Sequence, residues 1–258
     1  MDLSILLVTR RLSQAFLPLL RKAAEDYAAA QEEVHPTVAF FLAAYDDYYR
    51  AIDPVMAFLQ SKDPILAHRI NSRSFCPEGP YFSALEGVLI QAFGELVLQD
   101  RAKYLAARFL SDLANVITII ITIDPYFTPW KYGFELVGPD FRPLAAKLAR
   151  EPSLIDRELL GLWIPILKTH RPDLVCLTAP FAGTCYGALR LGKAVREVLP
   201  KAKIALGGGF VGSQLRDLNE PAVFEFVDYI VLDADERPLE RLIEHLEGHL
   251  PATDLHRT

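Results

Sequence analysis

Gly207-Gly208-Gly209 directly follows the apolar run 204–206. Three glycines after a strand let backbone approach a ligand closely and permit positive φ, although a tight turn without a ligand uses the same residues. Gly207, Gly209 and Gly212 spell G-x-G-x-x-G literally, but Gly208 is surplus. No acidic residue closes the next strand at the distance a dinucleotide site needs. Asp233-Ala234-Asp235-Glu236 sets three carboxylates after the apolar run 227–232. Such a cluster can bind a metal, accept hydrogen bonds from a ligand, or cap the next helix. Thr178, Pro180 and Thr184 surround a third loop. The two hydroxyls suit a polar ligand or ordinary turn and cap chemistry, and Tyr186 is expected to face solvent nearby.

The remaining reactive groups are scattered. Cys176 lies inside the apolar run 174–177 and reads as a small core residue. Cys185 falls near a helix start, where a thiol pKa can drop, but no histidine is near it in sequence to activate it. Cys76, Cys176 and Cys185 are spaced for neither a disulfide framework nor a zinc site. His245 and His249 share a helical face and could take a metal, but Gly248 points to a frayed helix end. Arg10 and Arg11 follow the apolar run 3–8. They suit an anionic ligand or an acidic partner, or are plain surface charge.

These residues need a scaffold, and its clearest part begins after His170. Runs 174–177, 204–206 and 227–232 read as strands, alternating with helices over 182–198 and 238–246 and a short helix or turn over 211–218. In the 182–198 helix Ala188, Leu191, Ala194, Val195 and Val198 point inward. In the last helix Leu239, Leu242, Ile243 and Leu246 share a face. Strand–helix alternation at these lengths gives right-handed βαβ units and a parallel, doubly wound α/β sheet. Residues 3–8 suit a further buried strand of that sheet. All four strand-end loops (residues 9–11, 178–181, 207–210 and 233–236) then lie at the carboxyl edge, where open parallel sheets bind ligands.

Residues 14–170 read as mainly helical: a helix over 14–33 with Pro18 in its first turn, and an aromatic-rich helical stretch over 38–60 broken or kinked at Pro54. A loop over 71–80 precedes helices at 81–98 and 100–116, the second continuing through 116–123. Residues 124–129 end it, and two further helices follow at 141–148 and 154–169. The expected domains are 1–13 with 171–250 as the α/β body and 14–170 as a helical insertion packing over or beside the ligand edge. Phe40, Phe41, Tyr45, Tyr48 and Tyr49 suggest a large apolar contact there.

The chain has 258 residues, 51% of them hydrophobic, enough for a substantial core. A net charge of −6 without a Lys/Arg run argues against a nucleic-acid partner. The most apolar stretch, 104–123, contains Arg108, Asp112 and Asn115, so it reads as buried in protein rather than membrane. The unpaired cysteine pattern fits a reducing, cytoplasmic compartment.

The segments Pro172-Asp173-Leu174-Val175, Gly207-Gly208-Gly209, Val227-Asp228-Tyr229-Ile230-Val231 and Glu236 together resemble the N-terminal cobalamin-binding-type domain of B12-dependent radical S-adenosylmethionine proteins. The resemblance covers about 80 residues well, residues 3–8 compatibly and 14–170 loosely. It implies a flavodoxin-like (Rossmann-like) fold with a large mainly helical insertion and cobalamin over the strand ends. It points to Thr178, Ala179, Gly207, Gly208, Gly209, Asp233 and Glu236 as cofactor neighbours. Two departures stand out. No D-x-H-x-x-G motif is present, only its beginning at Asp254-Leu255-His256, and the C-x-x-x-C-x-x-C triplet for an iron–sulfur cluster is absent. The implied function is a cobalamin-binding module, without a cluster of its own, that serves a radical S-adenosylmethionine domain in trans or lost from the C-terminal side. The alternatives are a cofactor-free scaffold or interaction module, and an unrelated small-molecule enzyme on the same fold.

Overall fold

The computed structural model describes residues 10–83, 98–121, 127–128, 133–134, 140–216, 220–232 and 236–258. By backbone contacts the chain divides into two units, Met1–Ile123 and Asp124–Thr258. The expected strand at 3–8 and the acidic residues 233–235, Asp233 included, lie outside the described residues, as does most of the expected helix at 81–98.

The described part of the first unit is helical. Its helices are α1 (Leu17–Ala29), α2 (Pro36–Ala43), α3 (Tyr45–Leu59), α4 (Leu66–Asn71), the single turn α5 (Pro80–Ser83) and α6 (Leu98–Ile121). Pro18 sits in the first turn of α1, where a missing N–H costs nothing. The break in the aromatic stretch falls at Ala44, not at Pro54, which lies inside α3. A proline frees the carbonyl one turn back. Close to that turn, Gln14 donates its side-chain amide to the Tyr49 carbonyl at 2.8 Å and its backbone N–H to the Asp53 carboxylate at 2.9 Å. The expected aromatic cluster splits by depth. Phe41 and Tyr48 are fully buried, with the Tyr48 ring stacked on Phe109 at 5.4 Å, while Tyr49 is exposed.

Helix α6 carries the uninterrupted helical pattern through Ile121. By length and composition it could cross a membrane, and half of its most apolar window is buried within the protein. Its Asp112 is fully buried beside Tyr48. Burial, reinforced by that carboxylate, pushes the Tyr48 phenol far up. Gly79 makes room for the acid, since a Cβ there would sit 2.1 Å from the Asp112 carboxylate oxygen.

The second unit begins with a two-residue antiparallel pair, β1 (Phe127–Thr128) and β2 (Gly133–Phe134), where the sequence suggested only a helix terminator. Helices α7 (Arg142–Ala149) and α8 (Leu154–His170) follow. Both were expected in the insertion; by contacts they group with the sheet. Then come β3 (Leu174–Thr178), α9 (Ala182–Val198), β4 (Lys203–Gly207), the short α10 (Gly209–Gln214), β5 (Tyr229–Ile230) and α11 (Arg237–Leu246).

The three strands form a parallel sheet in the order β3-β4-β5. The last strand is shorter than the apolar run 227–232. Asp228 explains its late start, because its carboxylate accepts the Ile204 N–H at 2.9 Å, a place a ladder carbonyl would otherwise take. One face of the sheet meets α9, where Leu177 packs at Gly192. A Cβ on Gly192 would stand 2.5 Å from the Phe226 carbonyl oxygen, so glycine sets how closely this helix lies on the chain before β5. On the other face Leu242 of α11 packs with Ala205 and Val231, flanked by Leu239 and Leu246, while Ile243 turns to solvent.

Candidate functional site

Register places Thr178 beside Gly207, so the loops after β3 and β4 leave the sheet side by side. Those loops are fastened backbone to backbone. Ala179 donates its N–H to the Gly207 carbonyl at 2.8 Å, and its carbonyl accepts the Phe210 N–H at 3.3 Å. Ala179 is itself fully buried. Gly208 adopts φ +113° and ψ 167°, a region that only glycine occupies readily. A Cβ there would lie 2.7 Å from the Ala179 carbonyl oxygen. The close approach that three glycines advertise is therefore made at Gly208, and its partner is the neighbouring loop.

Gly207 is half-buried, with Val231 in ordinary contact behind it. Gly209 differs from both: it is exposed, opens α10, and among the described residues a Cβ there would meet nothing within 4 Å except the Pro180 carbonyl oxygen at 3.6 Å. Beside it, Phe181 is 72% exposed and Thr178 also faces out. Thr184 donates its hydroxyl to the Phe181 carbonyl at 2.7 Å and accepts the Phe181 N–H at 3.3 Å, so it closes the turn into α9. Glu236 stands exposed at the head of α11, and its side chain makes no capping bond. At the end of β5, Leu232 donates its N–H to the Arg257 carbonyl at 2.9 Å, which brings the segment containing Asp254-Leu255-His256 back towards this edge.

Three expectations are corrected. Cys176 is exposed, not a core residue, because α11 covers the sheet over Ala205 and Val231 but leaves the Cys176 side of β3 open. Cys185 is buried, and burial pushes its thiol up to about 12, so the depression expected at a helix start is overridden by desolvation. Tyr186, expected at the solvent, is fully buried.

Tyr186 belongs to a polar cluster that sequence reading did not find. Its hydroxyl lies 3.0 Å from both oxygens of the Asp156 carboxylate and accepts from Arg190 at 2.8 Å. Arg190 and Asp156 form an ion pair at 3.7 Å, with side chains only 3% and 1% exposed. Arg190 also donates to the carbonyls of Leu148 and Lys147, where α7 ends. Asp156 accepts the Ser153 N–H at 2.7 Å, completing the cap of α8. Burial, aided by Asp156, pushes the Tyr186 phenol far up. The cluster ties α7, α8 and α9 together and reads as structural. Two sequence signals point to it: Ser153-x-x-Asp156 as a capping box, and a tyrosine and an arginine one turn apart in the otherwise apolar stretch 185–192.

Among the described residues no three His, Cys, Asp or Glu side chains are grouped to hold a metal ion. His245 is engaged with the Leu250 carbonyl at 2.8 Å, and His249 lies 3.5 Å from Glu247. Arg10 is exposed and Arg11 is buried. Comparison with family models, curated proteins and solved structures gives no match.

Proposed function

We propose that this chain is the cobalamin-binding module of a B12-dependent radical S-adenosylmethionine system, cytoplasmic and not a complete enzyme. The reading rests on the sequence resemblance and on one observation, the exposed glycine at the carboxyl edge. There exposed Gly209, with no side chain, borders Pro180 and the open ring of Phe181. A corrin is broad and partly apolar, so it needs a wide face and close backbone approach. The open space over Gly209 fits that need, and Thr178 and Glu236 offer polar groups to the corrin periphery. Gly208 and Ala179 hold the platform in place, and Phe181 excludes water beside it. Bound cobalamin would supply a cobalt that carries a methyl group or an electron. A separate radical S-adenosylmethionine domain or protein would supply the cluster.

A second reading is a cofactor-free interaction module on the same fold. It is favoured by Gly208, whose closest approach is to its own chain.

Titration with hydroxocobalamin, followed by absorbance and calorimetry, separates the two. Binding is expected, and Gly209→Trp is expected to abolish it with the fold intact by circular dichroism. A folded parent protein that does not bind, or binding indifferent to Gly209→Trp, overturns the cobalamin reading.

A further inference from the structure

At the opposite, amino edge of the sheet an open cleft of about 550 Å³ lies between two turns. One turn leads from α8 into β3 and the other from α9 into β4. Leu199 and Pro200 contribute to an apolar floor, while Lys168 and Arg171 come from one wall and Lys201 from the other. All three cations are exposed, and among the described residues none has a carboxylate within ion-pair distance. Among the described residues Asp173 is the only acid in the lining. Cations are favoured at helix C-termini, and α8 and α9 both end here. Each such end carries only about half a negative charge, so the two ends and Asp173 leave an excess of about one positive charge. This excess stands on a chain of net charge −6.

Arg171 supplies a second, independent sign. It caps α8 in the left-handed region, with φ +44° and ψ 54°. Glycine is the usual residue at such a position, and a side chain there costs about 1 kcal/mol. The cationic side chain is kept at a place where backbone preference opposes it.

We propose that this cleft docks an acidic segment of a partner protein, with carboxylates reaching both walls and an apolar side chain between them on the floor. Three features select a peptide over a phosphate. The cleft is open to solvent. Its cations stand apart on two walls. The helices present carbonyls here, not the N–H groups that cradle phosphate. The inference does not rest on the corrin reading, which concerns the other ends of the strands.

The full chain is titrated by fluorescence anisotropy with a labelled peptide alternating Glu and Leu, and with its Gln counterpart. The Glu peptide is expected to bind, and to bind more weakly as salt rises. The Gln peptide is expected to bind at least about tenfold more weakly, and K168E/R171E/K201E to cost the Glu peptide a similar factor. Arg171→Gly is expected to weaken binding while raising the melting temperature, because it removes a cation and relieves the backbone. Equal binding of the two peptides, or indifference to the triple reversal, overturns the proposal. A melting temperature raised by Arg171→Gly with peptide affinity unchanged also overturns the role given to Arg171. Displacement of the Glu peptide by inorganic phosphate or citrate at constant ionic strength overturns the proposal in favour of a small-anion site.

Discussion

At the carboxyl end of the β3-β4-β5 sheet, the loops continue the strands as bonded backbone: Ala179 to Gly207, then Phe210 to Ala179, with Gly208 pressed between. At the amino end, Lys203 bonds the Asp173 carbonyl at 2.8 Å, and beyond it the chain opens into a cleft rimmed by exposed cations. The first end is held by backbone geometry with few side chains projecting. The second is also bonded through its backbone but is rich in exposed charge. A rigid, bare surface suits a large flat ligand whose position matters. Long exposed cations suit an extended, charged partner whose position can vary.

The sharpest way to break this contrast is to loosen the bonded end from beneath. Arg190→Met removes the cation paired with Asp156 and the guanidinium bonds to the carbonyls of Lys147 and Leu148, which still accept from the Arg150 N–H and the Lys193 ammonium. Removing one partner of a buried ion pair costs about 3–5 kcal/mol, and urea unfolding is expected to report a loss of that order. A cost within experimental error would show that the cluster is incidental to the carboxyl end.

A smaller loss is expected one layer up, in the glycine run itself. Gly208→Ala meets the Ala179 backbone and an unfavourable φ together, for an expected cost of about 2–4 kcal/mol. Gly209→Ala makes only an ordinary contact with the Pro180 carbonyl oxygen among the described residues and is expected to change stability by no more than about 0.5 kcal/mol. Equal costs for the two would mean that the loop is not locked as described.

The cysteines give the smallest effect, with no stability change expected near neutral pH. Exposed Cys176 is expected to react with a maleimide well before buried Cys185, although partial burial raises the Cys176 thiol as well. The Cys185 thiol is held at about 12 against an ordinary 9.0. The folded chain therefore keeps a proton that the unfolded chain gives up. The stabilisation is complete below pH ~9 and declines as pH rises towards 12. Replacing Cys185 by Ala is expected to remove its share of the alkaline decline and leave that of Cys76, whose thiol is likewise pushed up to about 12 by burial.

Much of the α/β unit was legible because apolar period and turn residues agree there. The helix at 182–198 and the strands around 174–177 and 204–206 appear within a residue of their expected bounds. Side-chain depth was far less legible. An apolar run such as Leu174-Val175-Cys176-Leu177 does not tell whether one face or both will be covered. In the fold Val175 and Leu177 are buried while Cys176 is open. Tyr186 looked polar enough for solvent, yet it is buried together with Arg190, both paired with Asp156, 30 residues before Tyr186. Such partners meet only in three dimensions. The triglycine was visible as a special backbone, but composition alone could not assign the strain to Gly208, the half-buried place to Gly207 and the open space to Gly209.

The spatial order of the three strands repeats their order along the chain. Each strand therefore adds to the one made just before it, and no described strand inserts between two earlier ones. The longest wait is for one helix and its two turns, a short loop to close. Such a sheet can grow stepwise as the chain leaves the ribosome, with β3 and α9 forming a template before β5 is made. Its assembly would follow the direction of synthesis, and the last helix, α11, would close the open face only at the end.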